Sequence, residues 1–277
     1  MVQRFTRLSA SVLIQVFLIV ITFYTLAPLA TVWLASFKTN AEITMNPLAL
    51  PKVWRFQNFV EAWETAHLGR YLANSVYVTV PTMALVLASA SLAGYAFGML
   101  RFRGRGFLFA LFLIGLMVPN ISLIVPLYYT VLDLGLQNTR LGLILSEAAV
   151  ALPLATFIMR GAFRDLPSEL REAVLIDGGN ELDSFWRVMF PLARPALSTA
   201  AVLVFLGAWN SFLYPLILIN SDGLRTLPLG LGFMQGRYVT NTVLLAAAAT
   251  LAAIPSIAVY IVFQRRFIKG IVEGSFK

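Results

Sequence analysis

Three short groups, Glu172-Ala173-Val174, Asp177-Gly178-Gly179 and Val188-Met189-Phe190-Pro191, lie between Arg164 and Arg194, where charged residues crowd into an otherwise apolar chain. Their spacing predicts a helix that begins near Pro167 and is capped by Asp165 or Ser168, since a proline in the first turn gives up a donor that has no intrahelical partner. Leu166, Leu170, Ala173, Val174 and Asp177 fall on one side of that helix and Glu169, Arg171 and Glu172 on the other, about three turns of amphipathic helix. The Gly178-Gly179 pair supplies a left-handed exit. Asn180 and Asp183 then have the spacing of a capping box for a second helix, with Phe185, Val188 and Met189 on its apolar side and its end at Pro191. Two helices around a glycine elbow make a protruding hairpin. Its small Ala173 and Gly178 would let the backbone of another protein approach closely.

Chemistry of other kinds is scarce. Glu147 is the one charge in the run from Leu141 to Met159. It lies about 10 Å along the helix from Leu141 at 1.5 Å per residue, so it should face a cavity or a polar partner. His67 is the only histidine and reads as a solvated or packing residue, because the chain offers no partners for a metal. Zero cysteines exclude disulfides, zinc thiolates and a cysteine nucleophile. With no paired carboxylates in the apolar runs either, no catalytic and no metal site is expected.

The elements around these residues follow from composition. Of 277 residues, 59% are apolar and 12% charged, so most of the surface must meet something other than water. Five runs carry no charge at all: Leu8 to Phe37, Tyr71 to Leu100, Gly106 to Leu132, Pro195 to Ser221 and Tyr238 to Gln264. With Leu141 to Met159 they make six, each long enough for a hydrocarbon core that takes about 20 residues of helix. Barrel strands would be about half that length with alternating polarity. The expected fold is therefore all-α: a polytopic membrane protein with six transmembrane helices, forming a single domain over 1–277. The first run is too long for a signal-peptide core of about 7 to 15 residues and should remain as the first helix.

With both termini cytoplasmic, 14 of the 21 Lys and Arg residues lie on the inner side and 7 outside, the asymmetry that orients membrane helices. The net charge of +8 is accounted for by that placement, and nucleic acid is not an expected partner. Arg101 to Gly106 is an inner turn, a topology signal that could also anchor on anionic headgroups. The outer segment from Lys38 to Arg70 brings Trp54 and Trp63 to the interface, and Gly135 and Asn138 mark a tight turn between Asp133 and Arg140. Each apolar run holds a proline, Pro28, Pro81, Pro119, Pro153, Pro215 or Pro255, which predicts kinked or locally unwound helices.

The order Glu172-Ala173, Gly178 and, nine residues on, Val188-x-Phe190-Pro191 resembles the EAA loop of binding-protein-dependent ABC importer permeases. The stretches Pro126 to Leu145, Ala208 to Leu213, Thr226 to Leu231 and Phe263 to Lys277 are similar to the carbohydrate-uptake branch, in particular to the smaller maltose-type subunit. Val174, Gly179 and Ser211 depart from that pattern, which usually has alanine, often alanine, and often an acidic residue there. The resemblance implies a prokaryotic inner-membrane permease with a coupling hairpin at about 164–194 and a cytoplasmic tail at 265–277. Glu172, Ala173, Asp177 and Gly178 would dock onto a cytoplasmic ATPase present in two copies, with a second contact through Gly270, Glu273 and Gly274. No phosphate loop of the form G-x-x-x-x-G-K-[ST] occurs in the chain, so ATP and Mg would be used by that partner and no cofactor bound here. The other implied partners are a second permease subunit of different sequence, an extracytoplasmic solute-binding protein and lipid. Glu147, Trp209 and Asn210 are the candidate pathway residues. Trp209 with Asn210 could stack on and hydrogen-bond a sugar, or Asn210 could serve helix packing. The alternative class, an ion-coupled secondary transporter or channel, would need ionisable groups inside the membrane, and Glu147 is the one candidate.

Overall fold

A computed structural model describes residues 2–237 and 241–275, with side chains for 13–234 and 241–262. In order the helices are α1 (Val2–Ala35), α2 (Asn40–Met45), α3 (Gln57–Thr65), α4 (Leu68–Met99), α5 (Arg105–Met117), α6 (Ile124–Asp133) and α7 (Arg140–Arg164). There follow α8 (Ser168–Ile176), α9 (Glu181–Asp183), a π-helical turn at Ser184–Met189, α10 (Phe190–Leu192), α11 (Arg194–Trp209), α12 (Leu213–Leu218), α13 (Leu227–Arg237) and α14 (Thr242–Ser275). Among the described residues there is no strand. That is the expected outcome where lipid leaves every backbone amide to be satisfied within its own segment.

Among the described residues four helices are long and apolar enough to cross a membrane: 13–35 of α1, α4, α7 and 242–262 of α14. Two more spans result if each of two bent pairs counts as one, 105–117 with 120–133 bent by 99°, and 181–192 with 194–209 bent by 74°. Two of the six apolar runs are interrupted, in keeping with the kinked or unwound helices their prolines predict, one at the 99° bend and the other at Asn210, between α11 and α12. In the third run Pro119 forces Val118 out of the helical region, to φ −79 and ψ 121, and a 3-10 turn at Asn120–Leu123 starts the second half. In the fifth, the Asn210 side chain turns back to the carbonyl of Leu206 at 2.9 Å and closes α11. Pro215 then sits in the first turn of α12, where its missing donor matters least. Pro28, Pro81, Pro153 and Pro255 lie inside helices that continue through them.

Two compact units emerge, Met1–Leu68 with Leu231–Ala253, and Gly69–Gly230 with Ile254–Lys277. In the first, Phe37 is buried and meets Trp33, Trp54, Phe56 and Phe59 edge-on or tilted, with centroids 5.0 to 5.2 Å from it. Beside it the buried Lys38 donates to the carbonyls of Asn46 and Pro47 at 3.3 and 2.8 Å. His67 is exposed with φ 53, in the turn before α4.

The second unit carries the site. Its core joins Val86, Ala90 and Tyr95 of α4 to Ala148, Ala155, Met159 and Phe163 of α7, to Phe185 and Met189, and to Ala200 and Val204 of α11. Helices α4 and α7 approach closely because Gly94 and Gly98, four apart, present no side chain. A Cβ at Gly94 would lie 2.6 Å from Met159 Cβ, and one at Gly98 would lie 2.9 Å from Phe163 Cβ. Small residues at this spacing are how membrane helices gain van der Waals contact in the absence of a hydrophobic drive between them. The turn at 133–140 has the expected chemistry, Gly135 at φ 68 and Asn138 at φ 57. The Asn138 side-chain Oδ1 accepts from the amides of Asn220 and Ser221.

Candidate functional site

The segment between α7 and α11 is a hairpin. Pro167 occupies the cap of α8 without a side-chain hydrogen bond, and Asp165 closes α7 instead, so neither predicted cap forms; the extended backbone ahead of Ser168 leaves Pro167 itself at that position. The elbow is as expected. The amide of Asp177 donates to Ala173 O at 3.0 Å, that of Gly178 to Leu175 O at 3.2 Å and that of Gly179 to Val174 O at 2.9 Å. Gly178 has φ 85, the left-handed region that any side chain would strain. Gly179 is demanded by its neighbour rather than by its dihedral angles, since a Cβ there would meet Val174 Cγ1 at 2.7 Å and its carbonyl oxygen at 2.9 Å. Two of the three departures from the usual pattern, Val174 and Gly179, therefore touch each other.

The second arm starts with the expected capping box, Asn180 Oδ1 accepting from the amides of Leu182 and Asp183 while the amide of Asn180 donates to Asp183. It does not end at Pro191. A π turn over Ser184–Met189 leads into Pro191, which stays helical, and the chain bends only at Ala193. A proline lacks its own donor and crowds the carbonyl four residues back, and a widened turn relieves both defects.

Helix α8 is rolled about its axis relative to the predicted faces. Arg171, expected outside, is half-buried, whereas Leu170, Ala173 and Asp177 are exposed. The cause is Glu181, which takes Arg171 Nε at 3.0 Å and a second, shorter hydrogen bond from Arg171 Nη2 across the elbow. The same carboxylate accepts from the Tyr95 hydroxyl of α4 at 2.9 Å, and Ser184 Oγ lies 3.3 Å from that hydroxyl. The hydrogen bonds from Arg171 hold the Glu181 carboxyl below its ordinary pKa and raise that of the guanidinium in return. Beneath them Tyr95, Phe163 and Phe185 make an aromatic trio with centroids 5.2 to 6.1 Å apart. The hairpin is thus fastened to α4 and α7 at its base. Glu172, Ala173, Asp177 and Gly178 are exposed together at its free end, with Ile176, Leu182 and Trp186 exposed nearby.

A second feature is a cavity of about 580 Å³ in the same unit, walled by α5, α7, α11 and the break before α12. Glu147 lines it, only 6% exposed, and its Oε1 has no hydrogen-bond partner. Asn120, Asn210, Ser211 and Tyr214 supply the remaining polar wall. Trp209, expected beside Asn210 in the pathway, points elsewhere: it is buried and stacked on Phe205 at 5.4 Å. Successive helical residues point about 100° apart, and here Asn210 lines the opening while Trp209 does not. Gly270, Glu273 and Gly274 belong to the helical end of α14, and their side chains lie outside the described residues. Among the described residues no group of three His, Cys, Asp or Glu side chains could hold a metal.

The sequence reading missed Tyr95, Glu181 and the pair Gly94 and Gly98. The glycines have a legible signal, the small-x-x-x-small spacing within an apolar run. Tyr95 and Glu181 have none, since they are 86 residues apart.

The stretch that holds both the hairpin and the cavity matches a known family. Residues 87–273 match the family described as the binding-protein-dependent transport system inner membrane component. The chain belongs to this family. Among its relatives is the diacetylchitobiose uptake system permease protein NgcG of Streptomyces coelicolor, 37% identical, the match covering 99% of this chain and 90% of that one. Another is the arabinooligosaccharides transport system permease protein AraQ of Halalkalibacterium halodurans, 36% identical over 93% of each chain. Of solved structures, a bacterial ABC transporter involved in the import of the acidic polysaccharide alginate shares the fold of this permease, with a TM-score of 0.82 at 24% identity over 93% of this chain and 96% of that one. The permease is accordingly a multi-pass protein of a prokaryotic membrane.

Proposed function

We propose that this permease is the membrane subunit of an ATP-driven importer and forms half of a pathway for a sugar or sugar derivative handed over by an extracytoplasmic binding protein. The observation that carries the reading is the hairpin: its free end exposes Glu172, Ala173, Asp177 and Gly178, and its base is locked to two membrane helices. A force applied at the elbow reaches α4 and α7 directly. Closure of two ATPase subunits on ATP would then tilt the kinked helices and open the cavity to the outside. ATP and Mg belong to those partners, and this chain binds no cofactor. The second permease subunit is a different chain, both termini face the cytoplasm of a cell with this protein in its inner membrane, and residues 1–277 work as one permease domain. The tail at Gly270, Glu273 and Gly274 gives the ATPase a second contact.

Carbohydrate cargo is supported by the names of the relatives at 36 and 37% identity. The alginate importer, at 24%, lends its fold and not its cargo. Proteoliposomes holding the permease, its partner permease, the ATPase and the binding protein provide the test. Sugar should accumulate only while ATP is hydrolysed. Accumulation that persists without ATP and follows an ion gradient would establish the secondary-transporter reading instead.

A further inference from the structure

The cavity wall carries one acidic side chain, Glu147. Glu147 of α7 lines the opening, and its Oε1 is buried there with no hydrogen-bond partner. The Ser211 hydroxyl, also on the wall, hydrogen-bonds the Glu147 carboxyl, and the other neighbouring donors are engaged elsewhere. The Asn210 amide nitrogen donates to Leu206 O at 2.9 Å, and the Tyr214 hydroxyl donates to Asn120 O at 3.4 Å. Asn210 Oδ1 receives one long hydrogen bond, 3.5 Å from Ser256 Oγ. The wall therefore offers acceptors. It contains no Lys, Arg or His, and its remaining surface is aliphatic or aromatic: Leu154, Leu203, Phe212 and their neighbours. A cavity of about 580 Å³ lies within the range of about 300–1,000 Å³ typical of small-molecule sites.

We infer that this cavity is the cargo compartment of the permease and that Glu147 makes it selective for carbohydrate bearing hydrogen-bond donors and no negative charge. The inference rests on the permease reading above. A sugar hydroxyl donates to Glu147 Oε1 and replaces the water that a buried acceptor otherwise requires. The C–H faces of the ring lie against Leu154, Leu203 and Phe212. A sugar acid would bring its carboxylate into a low-dielectric wall holding one carboxylate and no cation, where like charges repel far more strongly than in water. Selection against acidic cargo is thus built into the wall by the lack of any compensating positive group, independently of what the binding protein selects.

The native sequence makes this testable. The chain has no cysteine, and a Cβ at Gly207, on the cavity wall, meets nothing within 4 Å. Gly207→Cys therefore puts a single thiol of this chain into the cavity without a clash. In the assembled transporter in membrane vesicles, at mildly alkaline pH, its modification is followed on the intact chain by mass spectrometry. The reagents are a cationic trimethylammonium-ethyl and an anionic sulfonatoethyl methanethiosulfonate, each rate divided by that for a free small thiol. The cationic reagent should be faster by roughly tenfold, the size of one unscreened charge at close range. Adding Glu147→Gln should bring the ratio close to one. In uptake, Glu147→Gln, which keeps an acceptor oxygen but loses the charge-assisted hydrogen bond, should slow transport of a neutral disaccharide severalfold. Glu147→Lys should lose at least roughly tenfold while still assembling with the ATPase.

The two arms fail separately. A wild-type assembly with no ATP-driven uptake of any sugar refutes the permease reading. Equal labelling by both reagents refutes the cavity inference while leaving the permease reading intact. So does a thiol that reacts with neither reagent because a helix of the partner permease fills the space.

Discussion

Replacing Glu181 with alanine should loosen the hairpin from the bundle without unfolding either part. The carboxylate accepts two hydrogen bonds from Arg171, one at 3.0 Å and one shorter, and a third from Tyr95 at 2.9 Å. Hydrogen bonds to charged groups contribute about 1.5–3 kcal/mol each when shielded. Here the side chains of Arg171 and Glu181 are 23% and 41% exposed, so water competes and the pair must be discounted heavily. A total of about 2 kcal/mol remains, roughly a 30-fold rise in the population of the released hairpin. Phe185 and Met189 stay buried and hold the rest of the second arm. Hydrogen exchange over 168–192 in the assembled transporter should quicken by about that factor, and sugar moved per ATP hydrolysed should fall while ATPase binding persists. Tyr95→Phe, losing one of the three hydrogen bonds, should do less. A cycle through Arg171→Ala, Glu181→Ala and the double variant should show a coupling of about 1 kcal/mol. Strictly additive effects, or unchanged exchange and coupling in Glu181→Ala, would refute the latch. Its pH dependence has a definite sign. Arg171 depresses the Glu181 carboxyl in the folded state, so the stabilisation is complete above the ordinary carboxylate value of about 4.3 and is lost as pH falls through the lowered one. Coupling that changed between pH 6 and 8 through this pair would contradict it.

Gly178→Asp should insert into the membrane at normal levels yet cut uptake at least roughly tenfold, because a side chain at φ 85 costs about 1–2 kcal/mol and a carboxylate is added to the docking face. Uptake at wild-type level, measured with radiolabelled sugar, would remove the docking assignment. Gly94→Ala should lower thermal stability in detergent by about 1–3 kcal/mol, since its Cβ would meet Met159 and the backbone of Arg160 within 3 Å. Gly106→Ala, with open space around it, should be neutral in the same melt, and matching losses in both would dismiss the close-packing account. Asn138→Ala should destabilise the outer turn by about 1–2 kcal/mol, uncapping the amides of Asn220 and Ser221. Faster exchange at those two amides, with the hairpin unaffected, is the expected signature.

Much of this was legible along the chain. Six apolar runs require helices because lipid offers no partner to a backbone amide, and the order Glu172-Ala173, Gly178, Pro191 specifies an elbow because glycine alone takes a left-handed turn cheaply. The Asn180 and Asp183 box and the left-handed turn at Gly135 are equally local, their partners lying within three residues. Direction was not legible in this way. The spacing of α8 put Arg171 on the side opposite Leu170 and Ala173, and the resemblance put Trp209 in the pathway beside Asn210.

Those directions depend on contacts between residues far apart in sequence. Glu181 and Tyr95 lie on different elements, and only their meeting turns Arg171 inward and rolls α8 so that Ala173 and Asp177 face out. Whether a proline bends a helix, as at Pro119, or rides inside one, as at Pro153 against Gly115, depends on whether a neighbour can absorb the lost hydrogen bond. The single acid of α7 was visible from the start as an anomaly in an apolar run. The empty volume in front of it belongs to no one segment, because a cavity is where α5, α7 and α11 fail to touch, and that is a property of their packing together.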